Sequence, residues 1–420
     1  MFDFDKRLAY ISNMQRFQGF KYELMPTTAQ MQKMRCFTGS CRFVFNRALA
    51  EQKDRHERGE KKLSYNELSG MLTAWRRNPD TAWLAETPAQ SLQSALKDLE
   101  WAYTNFFSKR AGFPRFKKKS HGGGFRFPQR YKLDEASSRI LLPKLGWVRY
   151  RNSRKILGKI TNVVVSSACG KWFVSIFTKM DAGQAIPATT KTVGVDLGIA
   201  RFATLSDGTF YMPLNSAKRH ADALRKAQQA MSRKVKLGNN WQKARARVRR
   251  IYARIRNCRR DYLHKISTAI CKNHAVVCIE DLRIRDMIKA SPHLSAAILD
   301  QGWFEFRKQL EYKQEWNGGR VVVVPSQYTS RTCPSCQYVA AENRQSQASF
   351  VCGACGFTEN ADLVGAINIL RAGHAQLACE VNGAAMPSAA GTRRSGTTQR
   401  NVEFTAVGIP TNYGREDAKD

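Results

Sequence analysis

Acidic residues are scarce in this chain of 420 residues. Only 34 Asp and Glu stand against 69 Lys and Arg, which gives a formal net charge of +35 and a pI near 10.1. No fold needs such an excess, whereas a polyanion favours it, because cations that neutralise phosphates release condensed counterions. Nucleic acid is therefore the first candidate partner. An acidic membrane is a weaker candidate, since no amphipathic basic anchor or lipidation signal is present.

Long apolar runs are also missing. The dense stretch 321–324 falls far short of the roughly 20 residues that span a bilayer. The N-terminus lacks the pattern of a secretory signal. We therefore expect a soluble intracellular protein that does not act at a membrane. Its eleven cysteines should stay reduced there, so a regular spacing among them indicates a metal site.

Three regions follow a leader at 1–15 that carries no motif. Residues 16–190 mix strand patterns with a helical block at about 27–120, and we interpret them as a small β-domain with a helical insert. A cap at Thr87 precedes the clearest helix, whose apolar residues recur at steps of three and four. The dipeptide Cys169-Gly170 predicts a hairpin turn between two later strands.

Residues 191–372 give a more informative order of elements. A strand and a hairpin precede a long helical stretch from about 216 to 272, then a strand, a helix, a strand and a helix from Asp362 to about Leu370. This order is the RNase H-like layout of the α/β class. The remainder, 373–420, is rich in small and polar residues and is predicted to be a largely disordered tail.

Four cysteines give the most specific signal. Cys333-Pro-Ser-Cys336 and Cys352-Gly-Ala-Cys355 form two C-x2-C pairs separated by 15 residues. Two such knuckles complete a tetrahedral site of four thiolates, which predicts one structural Zn²⁺ in a ribbon at about 328–358. Four thiolates leave zinc no open position, so the ion would not be catalytic.

Three acids stand at the ends of elements in this region. Asp196 ends the first strand, Glu280 ends the fourth, and Asp362 opens the last helix. In an RNase H-like sheet the first and fourth strands are neighbours, so these carboxylates should meet and hold two Mg²⁺ ions for hydrolysis of phosphodiester bonds. Each acid has a structural alternative: Asp196 as a turn residue, Asp281 in place of Glu280, and Asp362 as a helix cap.

Basic residues concentrate at two places. Residues 241–260 contain nine cations and no acid, which favours a phosphate-contacting face over an ordinary solvated one. The connector at 115–119 interleaves aromatics with cations, as channels for nucleic acid do. We expect nucleic-acid contacts from seven residues: Lys117, Lys118, Lys119, Arg245, Arg249, Arg250 and Arg256.

These motifs together resemble the TnpB family, transposon-encoded RNA-guided DNA endonucleases related to type V CRISPR effectors. The resemblance covers roughly 16–372 and is carried by Gly194-Val-Asp-Leu-Gly198, Ile279-Glu-Asp-Leu282, the two cysteine pairs and Ala361-Asp362 to Asn368-Ile369. Three positions depart from the family pattern. Val364 and Gly365 stand where Asn and Ala are common, and Gln337 replaces the Gly often found after the second zinc cysteine.

The resemblance implies a RuvC nuclease domain at 191–372, with Asp196, Glu280 and Asp362 as its catalytic acids. It also implies an N-terminal β-barrel wedge domain at 16–190 with an inserted helical recognition domain. The expected partners are a guide RNA from the transposon end and a double-stranded DNA target beside a short motif that the protein reads. The expected location is the prokaryotic cytoplasm, in association with the nucleoid. The oligomeric state stays open.

Three alternatives compete with this interpretation. A guided repressor without nuclease activity would keep the fold, and an RNase H-like transposase would also use three acids. Single-strand transposition needs a His-x-His pair, and none of the seven histidines is so spaced. Actin-like ATPases share the Gly-x-Asp-x-Gly opening, but the second phosphate loop they need is not evident in the sequence.

Overall fold

The computed structural model describes residues 14–182, 187–346 and 348–382. The chain divides into two compact units, whose described parts are an N-terminal unit at 14–182 and a C-terminal unit from 187 onward. Most of the predicted leader and of the predicted tail lies outside the described residues. Within the described residues, no helix is both long and apolar enough to cross a membrane.

The N-terminal unit is an antiparallel sheet with helices inserted after its first strand. The sheet has seven strands in the order β2-β6-β7-β1-β5-β4-β3. Its strands are β1 (Met14–Met25), β2 (Gly123–Phe127), β3 (Lys132–Asp134), β4 (Arg139–Leu142), β5 (Gly146–Tyr150), β6 (Lys159–Ala168) and β7 (Lys171–Ala182). The helices α1 (Thr28–Glu57), α2 (Tyr65–Arg77) and α3 (Ala89–Phe107) all lie between β1 and β2. The strand order is linear, and the closed wedge barrel stays a prediction.

Local sequence explains the boundaries of these elements. Thr27 and Gln30 form a capping box that starts α1. Cys169 and Gly170 both adopt positive φ between β6 and β7, which confirms the predicted hairpin turn. The cap predicted at Thr87 is wrong. Its hydroxyl donates to Ser40 Oγ at 2.8 Å instead, and α3 begins without a side-chain cap.

The C-terminal unit is a mixed sheet covered by helices on both faces. Its five strands run in the order β10-β9-β8-β11-β12, with β8, β11 and β12 parallel. They are β8 (Thr192–Asp196), β9 (Ala203–Leu205), β10 (Phe210–Tyr211), β11 (Val276–Glu280) and β12 (Arg320–Val324), and a small ribbon adds β13 (Ser349–Val351) and β14 (Thr358–Asn360). The helices are α4 (Ser216–Ser232), α5 (Asn239–Asn273), α6 (Ile284–Ala290), α7 (Ser295–Gln301), α8 (Trp303–Trp316) and α9 (Ala361–Asn382). The predicted adjacency of the first and fourth strands is confirmed, because β8 pairs with β11.

Alternating residues of the central strands divide between the two faces of this sheet. Val277 and Ile279 pack with Leu263 of α5 and Phe306 of α8, whereas Cys278 and Val322 pack with Ile369 of α9. The glycine at position 194 allows α9 to lie very close to the sheet. A Cβ on Gly194 would lie 2.0 Å from the Ala366 carbonyl oxygen of α9. The last helix therefore lies directly on β8, the strand that ends in Asp196.

Two predicted helices have different bounds in the structure. The helical stretch at 216–272 is two helices joined at 233–238, because Leu237 adopts a positive φ and Gly238 precedes α5. The helix expected to end near Leu370 continues to Asn382, so residues 373–382 are helical rather than part of a disordered tail. Gly373 faces Cys278 so closely that a Cβ there would meet its sulfur at 2.2 Å, which shows that this extension packs on the sheet.

Candidate metal centres and nucleic-acid interface

Parallel pairing brings two acids to the same edge of the sheet. Val195 of β8 is in register with Ile279 of β11, and the next residue of each strand is Asp196 and Glu280. The third acid, Asp362, occupies the first turn of α9. Asn360 Oδ1 accepts a hydrogen bond from the Asp362 backbone N–H at 3.1 Å, so Asn360 caps the helix and the Asp362 carboxylate is not needed for that role.

The other two acids both act on the ionisation of Asp196. The pKa of Asp196 is raised to about 7 by burial first, and then by the charges of Glu280 and Asp362. Arg344 and the Leu197 backbone N–H oppose this shift. A largely desolvated carboxylate beside two others favours a bound cation, because a positive ion offsets both the desolvation cost and the repulsion.

Glu280, and not Asp281, faces this acid cluster. Burial raises the pKa of Glu280, and its Oε1 accepts a hydrogen bond from the Thr329 hydroxyl at 2.5 Å. The Asp281 carboxylate is exposed and forms an ion pair with Arg307 at 2.7 Å. The alternative in which Asp281 supplied the site is therefore wrong in this structure.

Sequence reasoning missed three residues that support the acid cluster, namely Thr329, Arg344 and Asn368. Arg344 Nη2 lies 3.9 Å from Asp362 Oδ1, and its charge lowers the pKa of Asp196 and of Glu280. Asn368 Nδ2 donates to the backbone oxygen of Thr329 at 2.8 Å and to that of Thr332 at 2.7 Å. Asn368 belongs to the sequence motif that runs from Ala361 to Ile369, which was the signal that could have found it. Arg344 lies between the cysteine pairs in a segment with no pattern.

The predicted four-cysteine cluster is confirmed. The sulfur atoms of Cys333, Cys336, Cys352 and Cys355 lie within 4.8 Å of one another. Two of the sulfur–sulfur distances are 3.7 and 3.5 Å. A tetrahedral Zn²⁺ with Zn–S bonds of about 2.3 Å needs sulfur–sulfur edges of about 3.8 Å, so the arrangement fits zinc. In the described parts of the chain, no other group of three or more His, Cys, Asp or Glu residues has its ligand atoms within 4.8 Å of one another. The carboxylate oxygens of the three acids are therefore spaced more widely than the four sulfur atoms.

The two cysteine knuckles share one backbone geometry. Gln337 N donates to the Cys333 oxygen and Gly356 N donates to the Cys352 oxygen, both at 3.0 Å, and both residues have positive φ. Desolvation opposes ionisation of Cys352. The backbone N–H groups of Cys355 and Ala354, together with neighbouring thiols, nevertheless lower its pKa to about 6. Such a thiolate is the form that binds a metal.

The seven residues predicted to contact nucleic acid differ in how exposed their side chains are. Arg250 and Arg256 are exposed on α5, while Arg245 and Arg249 are half-buried, with Arg245 stacked on Trp241 at 5.2 Å. Lys118 and Lys119 are exposed. Lys117 is engaged within its own unit, since its ammonium lies 3.8 Å from the centre of the Phe45 ring and 4.0 Å from Asp98.

Comparison with known proteins agrees with this architecture. A family model described as "Probable transposase" (OrfB_IS605) matches residues 175–291, and a Cas12f1-like TNB domain matches 303–369, which includes the cysteine cluster. The Escherichia coli (strain K12) protein named "Putative RNA-guided DNA endonuclease InsQ" is 50% identical over 380 residues, covering 87% of this chain and 94% of InsQ. The chain belongs to the TnpB family.

Other relatives extend this result. A Streptomyces pristinaespiralis protein that also carries the name "Putative RNA-guided DNA endonuclease" is 35% identical over 399 residues, covering 94% of this chain and 98% of the relative. A Cas12f1 endodeoxyribonuclease of Sulfoacidibacillus thermotolerans is 25% identical over 217 residues, about half of each chain. A helix-turn-helix model matches residues 14–61 of this TnpB protein. In the structure these residues form β1 and the single continuous helix α1.

Proposed function

We propose that this TnpB protein is an RNA-guided endonuclease, associated with a transposable element, that cuts double-stranded DNA beside a short adjacent motif. The observation that supports this most is the convergence of Asp196, Glu280 and Asp362 at one edge of the RuvC-like sheet, with the pKa of Asp196 raised to about 7. The names of the full-length relatives point to the same activity.

Magnesium is the cation that suits this donor set. Three carboxylates are hard oxygen ligands, which favour Mg²⁺ over the softer metals that cysteine selects. Two such ions would activate a water and stabilise the leaving oxygen of the phosphodiester. Within the protein, Thr329 orients Glu280 by its hydrogen bond, and Asn368 holds the backbone on which Thr329 sits.

The charge distribution supports nucleic-acid partners. A net charge of +35 and the exposed cations of α5 suit the backbone of a guide RNA paired to its DNA target, where base pairing supplies the sequence specificity. The N-terminal sheet with its inserted helices would be the wedge and recognition domains. Residues 14–182 would then read the adjacent motif.

The test uses the full chain expressed with its flanking DNA. RNA that copurifies is sequenced, and the complex is incubated with Mg²⁺ and a plasmid library in which the matching target lies beside randomised bases. We expect cleavage restricted to one adjacent motif and abolished by EDTA. Asp196→Asn should reduce the cleavage rate by at least about 1,000-fold, a size typical of losing a group that acts in the transition state.

Asp281→Asn is the matched control, because Asp281 is an exposed carboxylate next in sequence to Glu280 and outside the acid cluster. It should cut like the unmodified chain. Wild-type cleavage by Asp196→Asn would overturn the assigned site. Bound RNA and guided DNA binding without any cleavage would establish the repressor alternative, and the absence of bound RNA would overturn the guided mechanism.

A further inference from the structure

The joined helices α4 and α5 form a basic hairpin (Ser216–Asn273) in the C-terminal unit. From residue 223 to residue 260 the hairpin contains fourteen Lys and Arg and no Asp or Glu. Its base is fixed by Asp300, which accepts from the Ser216 hydroxyl at 2.9 Å and from the Ala217 backbone N–H at 2.8 Å. Asp300 also lies 3.6 Å from Arg259 of α5. These contacts fix the base of the hairpin. The turn that joins α4 to α5 lies at the opposite end of both helices.

The hairpin tip (Arg233–Gly238) alternates cations with apolar residues, in the order Arg-Lys-Val-Lys-Leu-Gly. Val235 is 85% exposed and Leu237 is 69% exposed, the two highest values among the exposed large hydrophobic side chains of the described residues. Soluble proteins do expose single apolar side chains. Two of them at the end of a hairpin, with a cation beside each, form a more specific arrangement.

The backbone holds these two side chains outward at a conformational cost. Leu237 has φ of +70°, a left-handed conformation that Gly or Asn would adopt with less strain. Gly238 N donates to the Val235 oxygen at 3.1 Å, and Gln242 Nε2 donates to the Leu237 oxygen at 3.1 Å. The tip is therefore a defined turn that presents Val235 and Leu237, and neither side chain gains packing within the described structure.

We propose that the hairpin tip is a wedge that inserts Val235 and Leu237 into the base stack of duplex DNA. Aliphatic side chains that enter a base step unstack and kink the duplex, and nearby cations neutralise the phosphates that the kink brings together. An RNA stem suits the tip less well, because double-stranded RNA is recognised mainly through its shape, its hydroxyls and its phosphates. The role of this wedge in opening a guided target rests on the proposed function, whereas its action on DNA does not.

The first experiment needs neither a guide nor cleavage. The full chain is titrated, in buffer without Mg²⁺, onto a short DNA duplex that carries 2-aminopurine, a base whose fluorescence rises when it is unstacked. We expect a fluorescence increase with the unmodified chain. The increase should be smaller by at least about tenfold in Val235→Ser/Leu237→Asn, because the polar tip loses the apolar contacts that offset the cost of unstacking. Asn tolerates the positive φ, so this variant keeps the turn.

Conservative and distant variants serve as controls. Val235→Ile/Leu237→Met keeps an apolar tip and should retain the signal. Leu299→Ser removes another exposed apolar side chain, 57% exposed on α7, and should leave the signal unchanged. An equal signal from the Val235→Ser/Leu237→Asn variant would overturn the wedge. Equal unstacking of an RNA duplex, or tip-dependent binding to anionic vesicles without a DNA signal, would also overturn it.

The second experiment places the wedge in the guided reaction. Cleavage of an intact target is compared with cleavage of a target in which mismatches keep the first base pairs open. We expect Val235→Ser/Leu237→Asn to cut the intact target about tenfold more slowly and the opened target at the normal rate. Equal slowing on both targets would overturn a role in strand opening. If the unmodified chain cuts neither target, the proposed function fails, and the 2-aminopurine assay still decides the wedge.

Discussion

Single hydrogen bonds decide how the carboxylates of the acid cluster are oriented. Glu280 is half-buried, and the Thr329 hydroxyl donates a hydrogen bond that fixes one of its oxygens. Thr329 in turn lies at the edge of the ribbon, where Asn368 of α9 holds its backbone oxygen. A residue outside the acid triad therefore links the sheet, the last helix and the ribbon.

Thr329→Val tests this link, because valine keeps the shape of threonine and removes only the donor. A hydrogen bond to a charged group contributes roughly 1.5–3 kcal/mol, so we expect the cleavage rate to fall by at least about tenfold. Thr329→Ser keeps the hydroxyl and should cut normally. Zinc content and RNA binding should be unchanged in both variants, and a normal rate for the valine variant would show that Glu280 does not depend on this bond.

Gln337 offers a prediction about the stability of the ribbon. Its φ of +64° matches the +71° of Gly356 at the equivalent position of the other knuckle, so a glycine suits both positions. Gln337→Gly should raise the free energy of unfolding of the ribbon by about 1 kcal/mol, because a non-glycine residue is strained in this region. The measurements are thermal unfolding in reducing buffer with zinc and the rate of zinc release.

Gln345→Gly is the control for this substitution, because Gln345 is a described residue whose φ is not positive. There the same change adds only chain entropy to the unfolded state, and we expect a lower free energy of unfolding. Stabilisation in both variants, or in neither, would contradict the assignment of strain to Gln337.

At the scale of elements, the contact between β8 and α9 positions Asp196 beside Asp362. The two elements approach closely because Gly194 has no side chain, and a Cβ there would also lie 2.7 Å from the Leu370 backbone nitrogen. Backbone atoms of a helix cannot move aside as a flexible side chain can. Helix position and strand position are thus coupled through a single glycine.

Gly194→Ala should therefore destabilise the chain by about 3 kcal/mol or more, at the upper end of overpacking effects. Chemical denaturation measures the change. Gly70→Ala is the matched control, because Gly70 lies exposed within α2 and an added Cβ there would point into open space. In that variant the free energy of unfolding should rise by about 0.5–1 kcal/mol, because alanine has the higher helix propensity. A small effect at Gly194 would mean that α9 can shift on the sheet without cost.

At the scale of the whole molecule, loss of the zinc ion should disrupt the acid cluster as well as the ribbon. Arg344 and Thr329 both lie within the predicted ribbon and both contact the acids, although zinc itself would take no part in the chemistry. We expect one Zn²⁺ per chain by elemental analysis. Removing it with a zinc chelator should abolish cleavage even with excess Mg²⁺, and added Zn²⁺ should restore it.

The matched comparison is cleavage after Mg²⁺ removal alone, which should recover with Mg²⁺ and leave thermal unfolding of the ribbon unchanged. Normal cleavage by a chain shown to lack zinc would contradict the coupling. Guided binding of DNA by the zinc-free chain, measured in EDTA, separates loss of catalysis from loss of the whole complex.

The sequence by itself determined the chemistry-bearing residues and the order of elements. Residue type and spacing are local properties, so the two C-x2-C pairs, the acids at strand ends and the basic stretch could be found without a structure. Only the tertiary structure decided which neighbours these residues have. Strand pairing selected Glu280 over Asp281, helix packing carried α9 to Asn382, and a positive φ at Leu237 divided one expected helix into two. The first two outcomes depend on contacts between segments far apart in the chain, whereas the break at Leu237 is a local turn for which Gly238 was the available signal.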